Sequence, residues 1–225
     1  MNTSGAKIYI KNAELSDLPG ILHVEQSWDE AGRASKEKFE ARINKFAQGF
    51  FLAQVNEGDG LKTVATITSM PILYSAAHLH AYTRWDAVTN NGYFIGNISN
   101  EHPTKNGENG LYIASGVIDQ AYRGSDVFSP MVKRVAAQAE KIGMRYVLAG
   151  AVLPGYKKYC EKHGDLPAHE YCKLRKGHSL VDPLLAMYEK IGFHVPDERH
   201  VLPEYFPDDA SRSYAALVVC DLSKR

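Results

Sequence analysis

A chain of 225 residues is long enough to bury a substantial core and stays within the size that one mixed fold can reach. Its 26 basic and 26 acidic residues cancel, and no run of Lys or Arg exceeds a pair, which argues against nucleic acid and anionic membranes as partners. Three cysteines without a disulfide-dense pattern, no signal-peptide-like start and no apolar run near the ~18 residues of a membrane span together predict a soluble, cytoplasmic protein.

The first half of the chain alternates strand and helix patterns before it becomes irregular. In chain order, the patterns predict a strand at 7–12, a helix at 17–28 with Ser16 as its N-cap, a second helix opened by Ser35, and a hairpin of strands 50–55 and 63–68. Residues 71–110 then scatter aromatic and histidine side chains without a period. A long connection of this kind is expected to be a functional or lid-like insertion.

The second half predicts a parallel pair of strands and a closing helix. An apolar strand at 111–118, a helix at 127–142 and a buried strand at 145–150 follow one another, and such a crossover makes the two strands parallel. Residues 151–181 hold two short helical candidates, at 156–162 and 168–173. Asp182 and Pro183 then open a helix that ends at Ile191 before Gly192. Segments at 193–195, 201–203 and 214–222 complete the expected sheet.

The turn within residues 121–132 joins the first parallel strand to its helix. A helix N-terminus leaves backbone N–H groups unpaired and carries partial positive charge, so a tight glycine turn at this point can hold a phosphate. Gly124 lies in the turn, and Arg123 would add a forked, charged donor. Strand-glycine-helix turns occur throughout α/β proteins, so a plain crossover is the favoured interpretation of the turn taken alone.

A second motif, Ala-Met-Tyr-Glu-Lys-Ile-Gly-Phe at 186–193, makes the interpretation of the turn more specific. Taken together, the two motifs resemble the GNAT superfamily of acyl-CoA N-acyltransferases, and the matching positions are Val117, Tyr122, Arg123, Gly124, Tyr188, Gly192 and Phe193. From about residue 46 the chain is also similar to the GNAT domain that some bacteria fuse ahead of a nitrilase-type carbon–nitrogen hydrolase. That similarity includes Gly92-Tyr93, Leu148-Ala-Gly150, Asp182-Pro183 and the segment 205–216. It does not imply hydrolase chemistry.

The resemblance implies a mixed α/β, GNAT-like fold: a twisted mixed sheet of about seven strands flanked by helices. It implies a single domain over 1–225 with insertions at about 71–110 and 151–181. The implied activity is transfer of an acyl group, in the first instance acetyl, from acyl-CoA to the primary amine of a small molecule. No metal is expected, and a homodimer stays open. Two alternatives also remain: a catalytically silent acyl-CoA-binding module that regulates a separate amide hydrolase, and an N-acyltransferase for longer acyl chains.

The same resemblance implies which residues form the site. Tyr188 would protonate the leaving thiolate, and the backbone near Val117 and Ile118 would polarise the thioester carbonyl through an N–H left free by a strand irregularity. The pyrophosphate of coenzyme A would bind at Arg123, Gly124, Ser125, Asp126, Val127 and Phe128. Asp126 and Phe128 stand where the superfamily has small residues. Binding would therefore rest on backbone N–H groups, with the Asp126 carboxylate turned outward.

The general base and the acceptor pocket stay open at the level of sequence. Candidate bases on or after the central strand are Tyr112, Ser115 and Asp119, of which Asp119 could equally shape the turn. His80 and Glu25 are further candidates, each with a structural role as the alternative. The insertion at 151–181 replaces a short connection of the family and is expected to cover the acceptor pocket.

Four side chains of zinc-ligating type lie in the same insertion. They are Cys160, His163, His169 and Cys172. Zinc accepts two sulfurs and two imidazoles, but the five residues between the inner histidines make too short a loop for the usual finger. Surface histidines beside partly buried thiols are the favoured interpretation.

Overall fold

A computed structural model of the protein describes residues 7–28, 30–58, 60–75, 79, 82–94 and 109–224. In these ranges the strands are Ile8–Asn12 (β1), Phe50–Asn56 (β2), Leu61–Leu73 (β3), Asn109–Ile118 (β4), Tyr146–Val152 (β5), Arg175–Lys176 (β6), Ser179–Leu180 (β7), Val201–Leu202 (β8) and Ala215–Asp221 (β9). The α-helices are Leu18–Glu25 (α1), Lys36–Phe46 (α2), Trp85–Thr89 (α3), Phe128–Lys141 (α4), Tyr156–His163 (α5), Ala168–Tyr171 (α6) and Pro183–Lys190 (α7). None of the helices in these ranges is long and apolar enough to cross a membrane.

The main sheet has seven strands in the order β1-β2-β3-β4-β5-β9-β8, and β6 and β7 form a separate hairpin. Its strands pair antiparallel except for β4 and β5, which are parallel. The expected mixed sheet of about seven strands, with antiparallel early strands and one parallel pair, is therefore confirmed. The segment 193–195 was predicted as a strand, but it contributes only an isolated bridge from His194 to Val219.

Helices cover both faces of the sheet because successive residues of a strand point to opposite sides. On β2, Phe50 and Leu52 pack with Phe39 of α2 in a cluster that also includes residues of α1. Phe51, between them in sequence, packs with Met131 of α4 in the largest apolar cluster. The inner strands are buried on both faces, which explains why their sequences are nearly continuous apolar runs.

Helix boundaries follow their capping residues. Ser35 is the N-cap of α2, as predicted. Ser16 is not the N-cap of α1, because a 3-10 turn places Asp17 there, and the Asp17 carboxylate accepts a hydrogen bond from the Glu14 N–H. Helix α1 ends at Glu25, three residues before the predicted end at Trp28. Glu25 is therefore the last residue of α1, and its side chain is buried.

The two predicted insertions differ in how far the structure describes them. Strand β3 runs through Leu73 and β4 begins at Asn109, so the first insertion is shorter than 71–110. His80 and residues 95–108 lie outside the described residues. The second insertion contains α5 and α6 close to their predicted places and the hairpin of β6 and β7, which the sequence analysis missed.

Asp182 connects the second insertion to α7. Its carboxylate accepts hydrogen bonds from the N–H groups of Leu184 and Leu185, which makes it the N-cap of α7. It also accepts from the Gly155 N–H and the Tyr171 hydroxyl. The carboxylate is buried and fully bonded, so the start of α7 is held firmly against the preceding insertion.

Candidate active site

Strands β4 and β5 part midway along their length. Their parallel pairing ends at Ile113 and Ala149, beyond which β4 continues against β3 and β5 against β9. At the same level, Ala114 forms a bulge in the pairing of β4 with β3. The backbone edges that face each other across the gap are thus left unpaired, and an opening forms between the two strands.

A cavity of about 500 Å³ lies at this opening. Residues 113–116 of β4 and 149–152 of β5 form part of its wall, and further parts come from α1, α2, α3, α4, α7 and the segments 28–34 and 204–207. The side chains most relevant to its chemistry are Glu25, Arg42, Trp85, Phe128, Tyr188 and Phe206. The cavity therefore combines two titratable groups and a buried cation with an aromatic surface.

Tyr188 reaches the cavity from α7. Its ring lies 5.2 Å from that of Phe193 and 6.4 Å from that of Phe128, measured between centroids. Burial raises the pKa of the Tyr188 phenol above its usual value, and no described residue forms a hydrogen bond with its hydroxyl. A buried phenol of this kind stays protonated at neutral pH, so its hydroxyl is available to the cavity as a proton and hydrogen-bond donor.

Glu25, the last residue of α1, is 3% exposed and lines the same cavity. The Ala34 N–H donates to Oε1 at 2.7 Å, whereas Oε2 has no hydrogen-bond partner among the described residues. Burial raises the pKa of Glu25 to about 7, although the Ala34 hydrogen bond and the charges of Arg42 and Arg33 lower it. A carboxylate with a pKa near neutrality is suited to general-base catalysis.

Arg42 of α2 is a cavity residue that the sequence analysis did not identify. It is 1% exposed, and its Nε donates to the Gly92 carbonyl at 2.9 Å. Gly92 has φ +82°, and a Cβ at this position would lie only 2.9 Å from the guanidinium. Nη1 of Arg42 has no hydrogen-bond partner among the described residues. The conformation and small size of Gly92 thus allow a buried arginine to reach the cavity.

An aromatic surface forms another part of the wall. Trp85 donates its indole N–H to the carbonyl of Ala114, the bulge residue, at 2.6 Å. The Trp85 ring meets Phe206 edge-on at 5.6 Å, and Trp28 lies 6.2 Å from the same Phe206 ring. The hydrogen bond satisfies the bulge carbonyl, and the rings give this side of the cavity an apolar character.

The turn between β4 and α4 has the features expected of an anion site. Gly124 adopts φ +83°, and no atom lies within 4 Å of where its Cβ would be. The N–H groups of Gly124, Asp126, Val127 and Phe128 have no hydrogen-bond partner among the described residues. The Asp126 side chain is exposed and does not line the cavity. The backbone of the turn is therefore available to an anion.

No family model matches the chain. It is 25% identical over 214 residues to the probable hydrolase YhcX of Bacillus subtilis, in an alignment that covers 94% of this chain and 38% of that protein. The loading GNATL domain of CurA from Lyngbya majuscula superposes with a TM-score of 0.74 at 21% identity, covering 97% of this chain and 100% of the other. The GNAT-like decarboxylase GphF in complex with isobutyryl-CoA also superposes with a TM-score of 0.74 at 21% identity, covering 95% of this chain and 99% of the other. The NatC complex bound to Gag peptide and CoA superposes with a TM-score of 0.58 at 11% identity, covering 96% of this chain and 99% of the other. The chain has the GNAT fold.

Within this GNAT fold, the irregularity of β4 lies at Ala114, and Val117 and Ile118 pair with β3 in regular register. A role for the backbone near Val117 and Ile118 in polarising the thioester stays a prediction. Residues 153–181 do not line the cavity, and cover of the acceptor pocket by the second insertion stays a prediction. The cavity is enclosed by α1, α2 and the segments near residues 84–91 and 204–213. The second insertion borders a separate cavity next to α7.

The structure places the other candidate bases of this chain in different surroundings. Ser115 lines the cavity, but Tyr112 is buried elsewhere, with its hydroxyl bonded to that of Tyr205. Asp119 accepts a hydrogen bond from the Ala121 N–H and forms ion pairs with His23 and Lys62, so it shapes the turn. His80 is outside the described residues. Glu25 is the candidate base whose position and pKa both suit the role.

The four zinc-type side chains do not come together. No group of three or more potential metal ligands occurs in the described part of the chain. Cys160 and Cys172 are buried free thiols, the His163 ring stacks on Tyr159, and His169 pairs with Glu170.

Gly116 and Phe128 form a matched pair within the site. A Cβ on Gly116 would lie 2.4 Å from the Phe128 ring, which explains how the chain accommodates an aromatic residue where a small one was expected. We expect Gly116→Ala to displace the ring and lower the free energy of unfolding by about 1–3 kcal/mol. The double variant Gly116→Ala/Phe128→Leu should recover much of this loss in urea unfolding. Equal destabilisation of the single and double variants would contradict the size match.

Proposed function

We propose that this chain transfers an acyl group from acyl-CoA to a primary amine, with Glu25 as the general base and Tyr188 as the general acid. One observation carries the proposal. A buried carboxyl with a pKa of about 7 and a buried phenol with a raised pKa line the same cavity, where β4 and β5 part. The carboxyl can take up a proton near neutral pH, and the phenol stays protonated there, so one group can act as the base while the other holds a proton to give.

Acyl-CoA is the proposed donor because of the turn that precedes α4. Its unpartnered N–H groups and the glycine at φ +83° suit a pyrophosphate. Arg123 donates to the Ser27 carbonyl, so only the remaining N–H groups of its guanidinium would reach phosphate oxygens. The named ligands of two solved structures, isobutyryl-CoA for GphF and CoA for NatC, agree with this donor class.

The proposed chemistry follows from the two groups. The Glu25 carboxylate takes a proton from the acceptor ammonium, and the neutral amine attacks the thioester carbonyl carbon. The new C–N bond forms as the C–S bond breaks. Tyr188 gives its proton to the departing thiolate, and the proton on Glu25 is returned through solvent to the tyrosinate. The nitrogen that attacked releases its second proton to solvent. The products are an amide, free coenzyme A and one proton, so atoms and charge balance.

The test is release of free thiol from acetyl-CoA against a panel of primary amines. Thiol release should depend on the amine and saturate with its concentration, and acetyl-CoA should be preferred over octanoyl-CoA. Stabilisation by coenzyme A without turnover of any amine would favour the silent binding module instead. A preference that grows with acyl length would favour the long-chain enzyme. If no coenzyme A species stabilised the protein, acyl-CoA would be excluded as the donor.

The chain spans 38% of the length of the curated relative it matches. The panel should therefore also be run with a separately expressed nitrilase-type hydrolase present, since regulation of such a partner was the alternative function. A homodimer is tested in the same samples by light scattering with and without coenzyme A.

A further inference from the structure

Arg42 is a buried cation whose hydrogen-bonding capacity is only partly used. Its Nε is bonded to the Gly92 carbonyl, and its guanidinium lies 5.0 Å from the ring centroid of Phe39 and 5.4 Å from that of Phe94. Nη1 has no partner among the described residues. An arginine this deeply buried is normally paired with an anion, because removing a charge from water without a partner is strongly unfavourable.

Glu25 does not supply that anion. No ion pair joins it to Arg42, although the positive charge of Arg42 acts to lower the pKa of Glu25. The Oε1 atom of Glu25 accepts from the Ala34 N–H, and its Oε2 atom has no partner. Both residues line the same cavity. The cavity therefore presents one unsatisfied donor on a cation and one unsatisfied acceptor on a carboxyl group.

The other carboxylates that line the cavity do not supply this anion either. Asp86 is bonded to Arg84 through two contacts. Glu204 also lines the cavity, and no ion pair joins it to Arg42 among the described residues. No described carboxylate is therefore bonded to Nη1 of Arg42.

We propose that Arg42 binds the carboxylate of the acceptor, and that the acceptor is an amino acid with an apolar side chain. This inference rests on the proposed function, since it assigns the amine of the same molecule to Glu25. An α-amino acid carries an ammonium and a carboxylate close together, which matches an unsatisfied acceptor and an unsatisfied donor in one cavity. Trp28, Trp85 and Phe206 provide an apolar wall for its side chain.

The experiment compares matched acceptors in the full chain. Phenylalanine, phenylalaninamide and phenethylamine share an aromatic group and an amine, but only the first has a carboxylate. Thiol release from acetyl-CoA gives kcat and KM for each with wild type, Arg42→Met, Arg42→Lys and Lys133→Met. Lys133 is exposed on α4 outside the cavity, so its variant removes the same unit of charge elsewhere.

Wild type is expected to have a higher kcat/KM for phenylalanine than for phenylalaninamide or phenethylamine. Arg42→Met should raise KM for phenylalanine by about 10- to 100-fold, with KM for phenethylamine nearly unchanged. Arg42→Lys should raise KM for phenylalanine less than Arg42→Met does. Lys133→Met should have the same KM values as wild type. A similar loss with all three acceptors would overturn the proposal. If Arg42→Met does not fold, wild type alone decides, because a preference for phenethylamine over phenylalanine would also overturn it.

Two further measurements separate this inference from the proposed function. Thermal stabilisation by phenylalanine that Arg42→Met abolishes would support the carboxylate site even if no amine were acetylated. Turnover of phenethylamine alone would support acyl transfer and refute the carboxylate site. The second of these measurements uses malonyl-CoA without an amine. Arg42-dependent release of CO₂ would place the carboxylate on the donor and overturn its assignment to the acceptor.

Discussion

Glu25→Gln is expected to lower kcat/KM for amine acetylation by about 10²- to 10⁴-fold at pH 8, the range typical for loss of a general base. Glutamine keeps the oxygen that accepts from the Ala34 N–H, so the loop should stay in place, but it cannot take a proton from the ammonium. Because the pKa of Glu25 is about 7, kcat/KM of wild type should rise with pH around that value. The variant should lack this rise.

Glu161→Gln is the matched control, because Glu161 is exposed on α5 and lies outside the cavity. It should keep wild-type activity and the wild-type pH profile. The measurement is initial thiol release between pH 5.5 and 9 at saturating acetyl-CoA. A Glu25→Gln variant with wild-type activity and an unchanged rise near pH 7 would remove Glu25 from the mechanism.

Glu25→Gln should also change how stability depends on pH. The folded state holds the Glu25 proton up to about pH 7, whereas the unfolded chain releases it near 4.5. The folded state therefore binds more protons between these values, and stability decreases as pH rises through that window. The shift corresponds to about 3 kcal/mol. Urea unfolding of the variant should show a correspondingly weaker decrease over the same pH range, which distinguishes a lost titration from general damage.

Tyr188→Phe is the second large effect that we expect. It should lower kcat by about 10²-fold or more and leave the affinity for coenzyme A nearly unchanged, because only protonation of the leaving thiolate is lost. The hydroxyl has no described hydrogen-bond partner, and the ring contacts with Phe128 and Phe193 are retained in phenylalanine. The free energy of unfolding should therefore stay close to that of wild type.

Tyr159→Phe provides the control for loss of a phenol outside the cavity. Tyr159 lies on α5, with its ring stacked on His163 at 4.6 Å. Single-turnover thiol release should be slow only in the Tyr188 variant, and calorimetry with coenzyme A should give similar affinities for all three proteins. Full single-turnover activity in Tyr188→Phe would mean that another group, or water, protonates the thiolate.

Local patterns were sufficient to predict the elements that carry the turn and Tyr188. The apolar run of β4, the glycine at the turn and the helical spacing of α4 each depend on neighbours within a few residues. The start of α7 was predicted for the same reason, since Asp182 caps the N–H groups immediately after it. The N-cap of α1 was predicted one residue too early, because Asp17 holds the position predicted for Ser16.

Contacts between distant parts of the chain could not be predicted in this way. Arg42 is positioned by the Gly92 carbonyl, fifty residues away in sequence. The bulge at Ala114 is apparent only from the pairing of β4 with β3. A bulge and a buried side chain depend on which elements pack together, so the local sequence of either one contains little signal of its position.

The strands of the mixed sheet, the parallel pair with its glycine turn and the helix that carries Tyr188 could be predicted from the sequence, because short-range periodicity and capping encode them. Which helices enclose the cavity became apparent from the folded chain alone. The tertiary structure also distinguished Glu25 from the other candidate bases and revealed Arg42 beside it. The pKa of Glu25 and the unsatisfied Nη1 of Arg42 both result from burial, and burial is set by elements that meet only when the whole chain has folded.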